Sequence, residues 1–226
     1  MKLNIMTWNT AITENLEDEQ KCNQIINYIE DFLEKENSIA FLQQIAFKDP
    51  NNNWKMHSVF RRLKENYLIE FYKKSTFMMT VAITKKNNFL YPLEDEFYPI
   101  NRPKNRAVAV KFNDISFLAI HAENDAKNAD VNKSYLCSLH GKADVILGDF
   151  NTGNYLEAEN RITFNQILKE HICICSMPTK VTETGRRTCI DHVFVRENMI
   201  TKCCNLIVHE DVLLSDHFPM TFEINK

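Results

Sequence analysis

Short apolar runs recur along the whole chain, and only three or four amphipathic stretches of helical spacing break them up. Strands are predicted over 3–8, 39–44, 77–84, 106–112, 115–121, 143–147, 172–175, 189–195, 206–209 and 220–224, and the Asn113-Asp114 turn makes 106–112 and 115–121 a hairpin. Helical spacing puts Ile25, Ile26, Ile29, Phe32 and Leu33 on one face of a helix over 19–35, and Val59, Phe60, Leu63 and Tyr67 on another. Further helices are predicted over 132–139 and 157–169, with a loop at Pro50 and 51–53. Strands and helices do not alternate strictly. That order favours two packed sheets covered by helices over one doubly wound parallel sheet.

With 226 residues, 44% of them hydrophobic, the chain is long enough for one well-buried core, so a single domain over 1–226 is expected. A formal net charge of -3 gives no basic footprint over the whole surface, which excludes tight nucleic-acid binding by bulk electrostatics but leaves room for a local basic patch. Met1 leads directly into a strand-like run without the apolar stretch and cleavage site of a secretory leader. No segment nears the roughly 18 consecutive apolar residues of a membrane span. A cytoplasmic location is therefore expected. Seven cysteines, none in CxxC spacing, read as reduced thiols rather than a disulfide framework or a zinc site.

The chemistry sits where apolar runs break. In GDFN (Gly148, Asp149, Phe150, Asn151) the strand stops at Gly148, so Asp149 and Asn151 should project from one edge on one face. In IDH (Ile190, Asp191, His192) alternation sends the two polar side chains to opposite faces, and in SDH (Ser215, Asp216, His217) Pro219 marks a loop at a strand terminus. A carboxylate beside an amide suits an attacking water or a phosphate oxygen. An Asp that orients a His, with another Asp free for a hard cation, is a hydrolytic arrangement.

These strings, together with TWN (Thr7, Trp8, Asn9), FLQQ (Phe41, Leu42, Gln43, Gln44) and the His121 that ends FLAIH, resemble the endonuclease/exonuclease/phosphatase superfamily, in the expected order over nearly the whole chain. The resemblance implies the DNase I-like α/β fold, a four-layer sandwich of two mainly antiparallel sheets flanked by helices. It also implies cleavage of phosphodiester or phosphomonoester bonds with Mg²⁺ or Mn²⁺, on nucleic acid or another phosphoester. Carried over by position, Asn9, Gln44 and Asp216 lie at the metal. Asp149 orients or deprotonates the attacking water, and Asn151 binds phosphate or nucleophile. His217, oriented by Asp191, contacts phosphate or acts in acid-base chemistry, and His121 assists the phosphate or leaving group. His192 is read as structural.

Gln44 departs from the family pattern, which ends this motif in a metal-binding Glu. The amide keeps the shape and an oxygen but removes the charge, so affinity for a hard cation should fall. Either the chain is an inactivated Glu-to-Gln form, or it is a natural variant that cleaves weakly or only binds. Arg102, Lys104 and Arg106, the pair Arg186-Arg187, and more weakly Thr179 and Lys180 are candidates for gripping substrate phosphate. Trp54, Tyr72 and Tyr98 could stack a base, though core or rim positions account for them as well. A nuclease on DNA or RNA, a hydrolase of nucleotides or phosphoinositides, and a catalytically dead phosphate binder all stay open.

Overall fold

A computed structural model describes residues 1–12, 19–49, 52–72, 78–98, 106–122, 137–151 and 154–226. The elements in chain order begin with β1 (Lys2–Ile12), α1 (Glu19–Leu33), β2 (Ser38–Ala46), the short pair β3 (Lys48–Asp49) and β4 (Asn52–Met56), and α2 (Ser58–Asn66). They continue with β5 (Tyr67–Phe71), β6 (Met78–Lys85), β7 (Leu90–Pro92), β8 (Ala107–Phe112), β9 (Ile115–His121), β10 (Val145–Asp149) and α3 (Ala158–Ile167). The chain finishes with β11 (His171–Cys173), β12 (Lys180–Val181), β13 (Arg187–Thr188), β14 (Asp191–Arg196), β15 (Cys203–Val208) and β16 (Met220–Asn225).

Two six-stranded sheets form, in the orders β15-β16-β1-β2-β6-β5 and β11-β14-β10-β9-β8-β7. Each contains one parallel pair, β1 with β2 and β9 with β10, and every other neighbouring pair in them is antiparallel. The parallel β1–β2 pair needs a crossover, which α1 supplies. Alternation along β1 divides the core. Leu3 and Ile5 point between the sheets with Ile39 and Phe41, whereas Met6 and Trp8 lie on the outer face with Ile25, Ile29 and Phe60 of α1 and α2. Phe41 meets Phe117 of the facing sheet with ring centroids 5.2 Å apart, closing the inter-sheet layer. On the far side α3 covers the second sheet, and its Phe164 packs against Phe150 and Phe194.

The predicted strands agree with the structure to within a few residues. Asn113 and Asp114 both take positive φ (49° and 65°), the backbone of a tight hairpin turn between β8 and β9. Tyr67 differs from expectation: it is buried but opens β5, because the backbone turns extended there and caps α2 by donating to the Leu63 carbonyl. Strands β5 and β7 and the β3–β4 and β12–β13 pairs carried no clear apolar alternation and were not anticipated, and β4 takes in Asn52 and Asn53 of the expected loop. The 157–169 helix is shorter, Ala158–Ile167. Most of the helix expected over 132–139, and Pro50 and Asn51 of the expected loop, lie outside the described residues. All seven cysteines are free thiols. Among the described residues no helix is long and apolar enough to cross a membrane.

Candidate active site

Three adjacent strands of the second sheet end in one polar row. In register, Asp149 of β10 pairs with His121 of β9 on one side and with Asp191 of β14 on the other. Paired residues on neighbouring strands project from the same face, so an apolar sheet finishes in an imidazole and two carboxylates side by side. The facing sheet supplies Asn9, whose Nδ2 donates to Asp149 Oδ2 at 2.7 Å. Its register partner on β2 is Gln43, fully buried, with Nε2 donating to Thr7 Oγ1 at 3.2 Å. Both β1 and β2 break register at this end, between Asn9 and Ile12 and between Leu42 and Ile45, and Ala11 and Gln44 take positive φ there. Such bulges re-aim side chains and terminate pairing next to sites.

Gly148 allows the row to form. Its φ is 122°, and a Cβ there would lie 2.1 Å from the Ile120 carbonyl oxygen of β9. The strand therefore does not stop at Gly148, as expected from sequence, but runs through it to Asp149. Gly148→Ala is expected to destabilise the fold by about 3 kcal/mol or more, read as a lowered denaturant midpoint, because strain and a backbone clash add together.

His217 closes the site from the loop before β16. Its Nδ1 lies 2.9 and 2.8 Å from the two oxygens of Asp191, and its Nε2 is 3.7 Å from Asp149 Oδ2. His121 Nε2 stands 3.7 Å from that same Asp149 oxygen, so two imidazoles flank one carboxylate. The loop is tied down from several directions. Trp8 Nε1 donates to the His217 carbonyl at 2.9 Å, and Ser215 Oγ donates to the Asn9 carbonyl at 2.9 Å while accepting from the His217 N–H. Asp149, Asp191 and His217 are all buried, with ligand atoms that lie within 4.8 Å of one another.

Burial and the Asp191 charge push the Asp149 carboxyl up to about 6, against the opposing pull of His217, Asn9 and the Asn151 N–H. For His217, burial opposes the charged ring, but Asp191 and then Asp149 outweigh it and lift the pKa to about 9. Lys180 complicates that picture: its Nζ sits 2.9 Å from His217 Nε2, and an ammonium donates only to a neutral ring nitrogen. The ring is thus neutral, with its proton on Nδ1 toward Asp191, while Lys180 leans on it, and a protonated ring requires the ammonium to leave Nε2 and keep only its contact with Asp216. His121 is held well below the usual histidine value by burial, then by Arg106, His217 and Lys180, and is neutral at neutral pH.

No protein-family model matches the sequence, and no curated protein does. Solved structures match over the whole chain. The 3' phosphatase NExo of Neisseria, bound to a product DNA hairpin, superposes with a TM-score of 0.70 at 15% identity, covering 99% of this chain and 100% of that one. An AP endonuclease of Archaeoglobus fulgidus gives 0.70 at 15% identity, with the same coverage of 99% and 100%. TDP2 of D. rerio, complexed with single-strand DNA product, gives 0.69 at 16% identity over 100% of this chain and 99% of that one. This chain has the DNase I-like fold. At these identities the likeness is one of fold.

On the DNase I-like frame, Asn9, His121, Asp149, Asp191 and His217 come together at one end of the two sheets. Asn151 lies just beyond Asp149 but not on the same strand face: its φ is 49°, its N–H donates to Asp149 Oδ1 at 2.8 Å, and its Nδ2 donates to the Ala122 carbonyl at 2.8 Å. Asp216 is half-exposed, pairs with Lys180 at 2.9 Å and lies outside the Asp149, Asp191 and His217 group. Burial opposes its charge, yet His217 and Lys180 hold its carboxyl below the usual range. Gln44, half-buried at the bulge, accepts from Thr10 Oγ1 through its carbonyl.

Several phosphate candidates have other duties. Thr179 is fully buried and cannot meet substrate; its hydroxyl donates to Asp191 Oδ2 at 2.8 Å and accepts from the Ile190 and Asp191 N–H groups, which positions that carboxylate. Arg106 spends Nε and one terminal nitrogen on the His121 and Ala122 carbonyls, clamping the end of β9. Arg186 is exposed and pairs with Glu157, and Arg187 pairs with Glu210. Arg102 and Lys104 lie outside the described residues, and so does the side chain of Trp54. Tyr98 is buried against Tyr72 at 5.2 Å and accepts from the Ala109 N–H, a structural place rather than a stacking platform. His192 is fully buried among Phe150, Tyr155, Phe164 and Phe194, on the face opposite Asp191, in keeping with the structural reading. Sequence reasoning missed Gln43, Ser215 and the supporting role of Thr179. Gln43 and Ser215 stood inside quoted strings, but only contacts reveal what they hold.

Proposed function

We propose that this chain is a divalent-metal-dependent phosphodiesterase acting as a nuclease on DNA or RNA. The observation that carries the reading is the His121–Asp149–Asp191 row, closed by His217 and Asn9 at the end of a DNase I-like pair of sheets. NExo and TDP2, which share the fold, were solved with DNA products, and that supports a nucleic-acid substrate.

The donor set suits a hard cation. Asp149 and Asp191 offer anionic oxygens, and Gln43 Oε1 is buried without a hydrogen-bond partner. These two carboxylates would hold Mg²⁺ or Mn²⁺, with Asn9 beside them and, as the family resemblance implies, Gln44, and the bound ion would supply positive charge against the charge that develops at phosphorus. The chain's own residues do the rest. Asp149, fixed by Asn9 and the Asn151 N–H, orients the attacking water. Asp191 and Thr179 hold the His217 ring so that Nε2 faces the reacting phosphate. His121, kept neutral beside Asp149, can donate a hydrogen bond to a phosphate or leaving oxygen.

Gln44 favours a second reading, a site that binds phosphate and cleaves it slowly or not at all, since its amide lacks the charge a hard cation prefers. Assays of the chain with Gln44 and of Gln44→Glu with Mg²⁺ and Mn²⁺, on DNA, RNA, mononucleotides and phosphoinositides, decide between the two. Gln44→Glu is expected to hydrolyse DNA or RNA at least about tenfold faster than the chain with Gln44. Hydrolysis of the small phosphoesters alone would move the substrate away from nucleic acid. No hydrolysis by Gln44→Glu on any member of the panel would overturn the enzyme reading.

A further inference from the structure

Lys180, named above among the candidates for gripping phosphate, takes no part in the chemistry proposed so far, yet it touches the catalytic histidine. The β12–β13 pair carries it, and that pair is laid along the SDH segment by backbone bonds: Val181 N–H to the Asp216 carbonyl at 2.9 Å, Phe218 N–H to the Thr179 carbonyl at 2.7 Å, and a bridge between Lys180 and His217. Thr179, one residue earlier, is anchored on Asp191, so the strand cannot slide without disturbing the buried carboxylate. The Lys180 ammonium ends 2.9 Å from His217 Nε2 and 2.9 Å from Asp216 Oδ2. Its side chain is 23% exposed and that of Asp216 is 50% exposed, whereas those of His217 and Asp191 are 3% and 4% exposed. Lys180 therefore stands at the mouth of the site, between solvent and the buried acid-histidine group.

A long, flexible side chain on a rigid strand can reach an incoming anion without moving the backbone, and an ammonium is a compact donor for a phosphate oxygen. Its neighbour Asp216 is half-exposed, so part of its partner's charge is already screened by water.

We propose that Lys180 is a substrate-contacting residue that donates to a non-bridging phosphate oxygen beside His217, and that through it the site binds phosphate groups without a divalent ion. The proposal rests on the phosphoester reading above. The test is calorimetric titration with inorganic phosphate in EDTA at low salt, on the unsubstituted chain and on Lys180→Met, Lys180→Arg and Asp216→Asn. The unsubstituted chain is expected to bind, Lys180→Met to lose at least about tenfold in affinity, and Lys180→Arg to keep most of it. Asp216→Asn frees the ammonium from its competitor and is expected to tighten binding about two- to fivefold, a change that a purely structural lysine would not produce. If Lys180→Met fails to fold, Asp216→Asn decides alone. Unchanged affinity in folded Lys180→Met, or weaker binding in Asp216→Asn, overturns the role of Lys180 while leaving hydrolysis by Gln44→Glu as a separate result. Binding that appears only with Mg²⁺ overturns the metal-free claim. No phosphate binding under any condition overturns this proposal, and with it the phosphate site on which the functional reading depends.

Discussion

In the Gln44→Glu protein, replacing His217 with Ala is expected to lower kcat/KM for the cleaved substrate by about 10²- to 10⁴-fold, the usual contribution of a positioned acid-base group. The geometry supports a loss in kcat rather than in KM. His217 is pinned at Nδ1 by both oxygens of Asp191, and its Nε2 stands 3.7 Å from Asp149, so it is held for the reacting group rather than for the body of the substrate. The same substitution takes the Nδ1 hydrogen bond away from the buried Asp191 carboxylate and so costs stability, about 1.5–3 kcal/mol for a bond to a charged group. Rates must therefore be measured per folded molecule, with near-UV circular dichroism as the check. A change confined to KM would reassign His217 to substrate binding.

Asp149→Asn is expected to separate stability from activity, abolishing hydrolysis while making the metal-free protein more stable. Burial and Asp191 raise the folded-state carboxyl of Asp149 from 3.8 to about 6. A carboxyl whose pKa rises on folding destabilises the native state when ionised. Below about pH 4 it is protonated in both states and costs nothing; the cost grows between about pH 4 and 6 and is complete above pH 6. Removing the charge should then return about 1–3 kcal/mol at neutral pH. The expected rise in thermal midpoint in EDTA is about 2–12 °C at pH 7, shrinking to nothing near pH 4. A midpoint that falls at pH 7, or a difference independent of pH, would show that the Asn9 and Asn151 hydrogen bonds to Asp149 matter more than its buried charge. Stored destabilisation of this kind is common where charge is kept for chemistry.

Much of the fold was legible because it is written in local apolar periodicity. The apolar runs 106–112 and 115–121 on either side of the Asn113-Asp114 turn specify a hairpin, and the apolar face of α1 announces a helix lying on a sheet. Strands β5 and β7 and the β12–β13 pair were not legible. They are short, partly exposed and stabilised by neighbours that are distant in sequence, so nothing local marks them. The site divides in the same way. Asp149, Asp191 and His217 stood out because polar residues interrupt apolar runs, whereas Thr179 was misjudged as facing substrate because a buried hydroxyl and a solvent-facing one look alike in a string of letters.

Sequence by itself determined the class of architecture, the strings that carry the chemistry and the sidedness of Asp191 and His192, since alternation depends only on chain geometry. Tertiary structure alone decided which of those strings meet. The register of β9, β10 and β14 puts His121, Asp149 and Asp191 in one row, the absence of a Cβ at Gly148 lets that row form, and the SDH loop turns His217 inward and Asp216 outward onto Lys180. Pairing across a sheet and packing between sheets join residues more than a hundred positions apart, as in the 140-residue separation of Asn9 and Asp149, and such contacts are set by the burial of the whole core rather than by any local pattern.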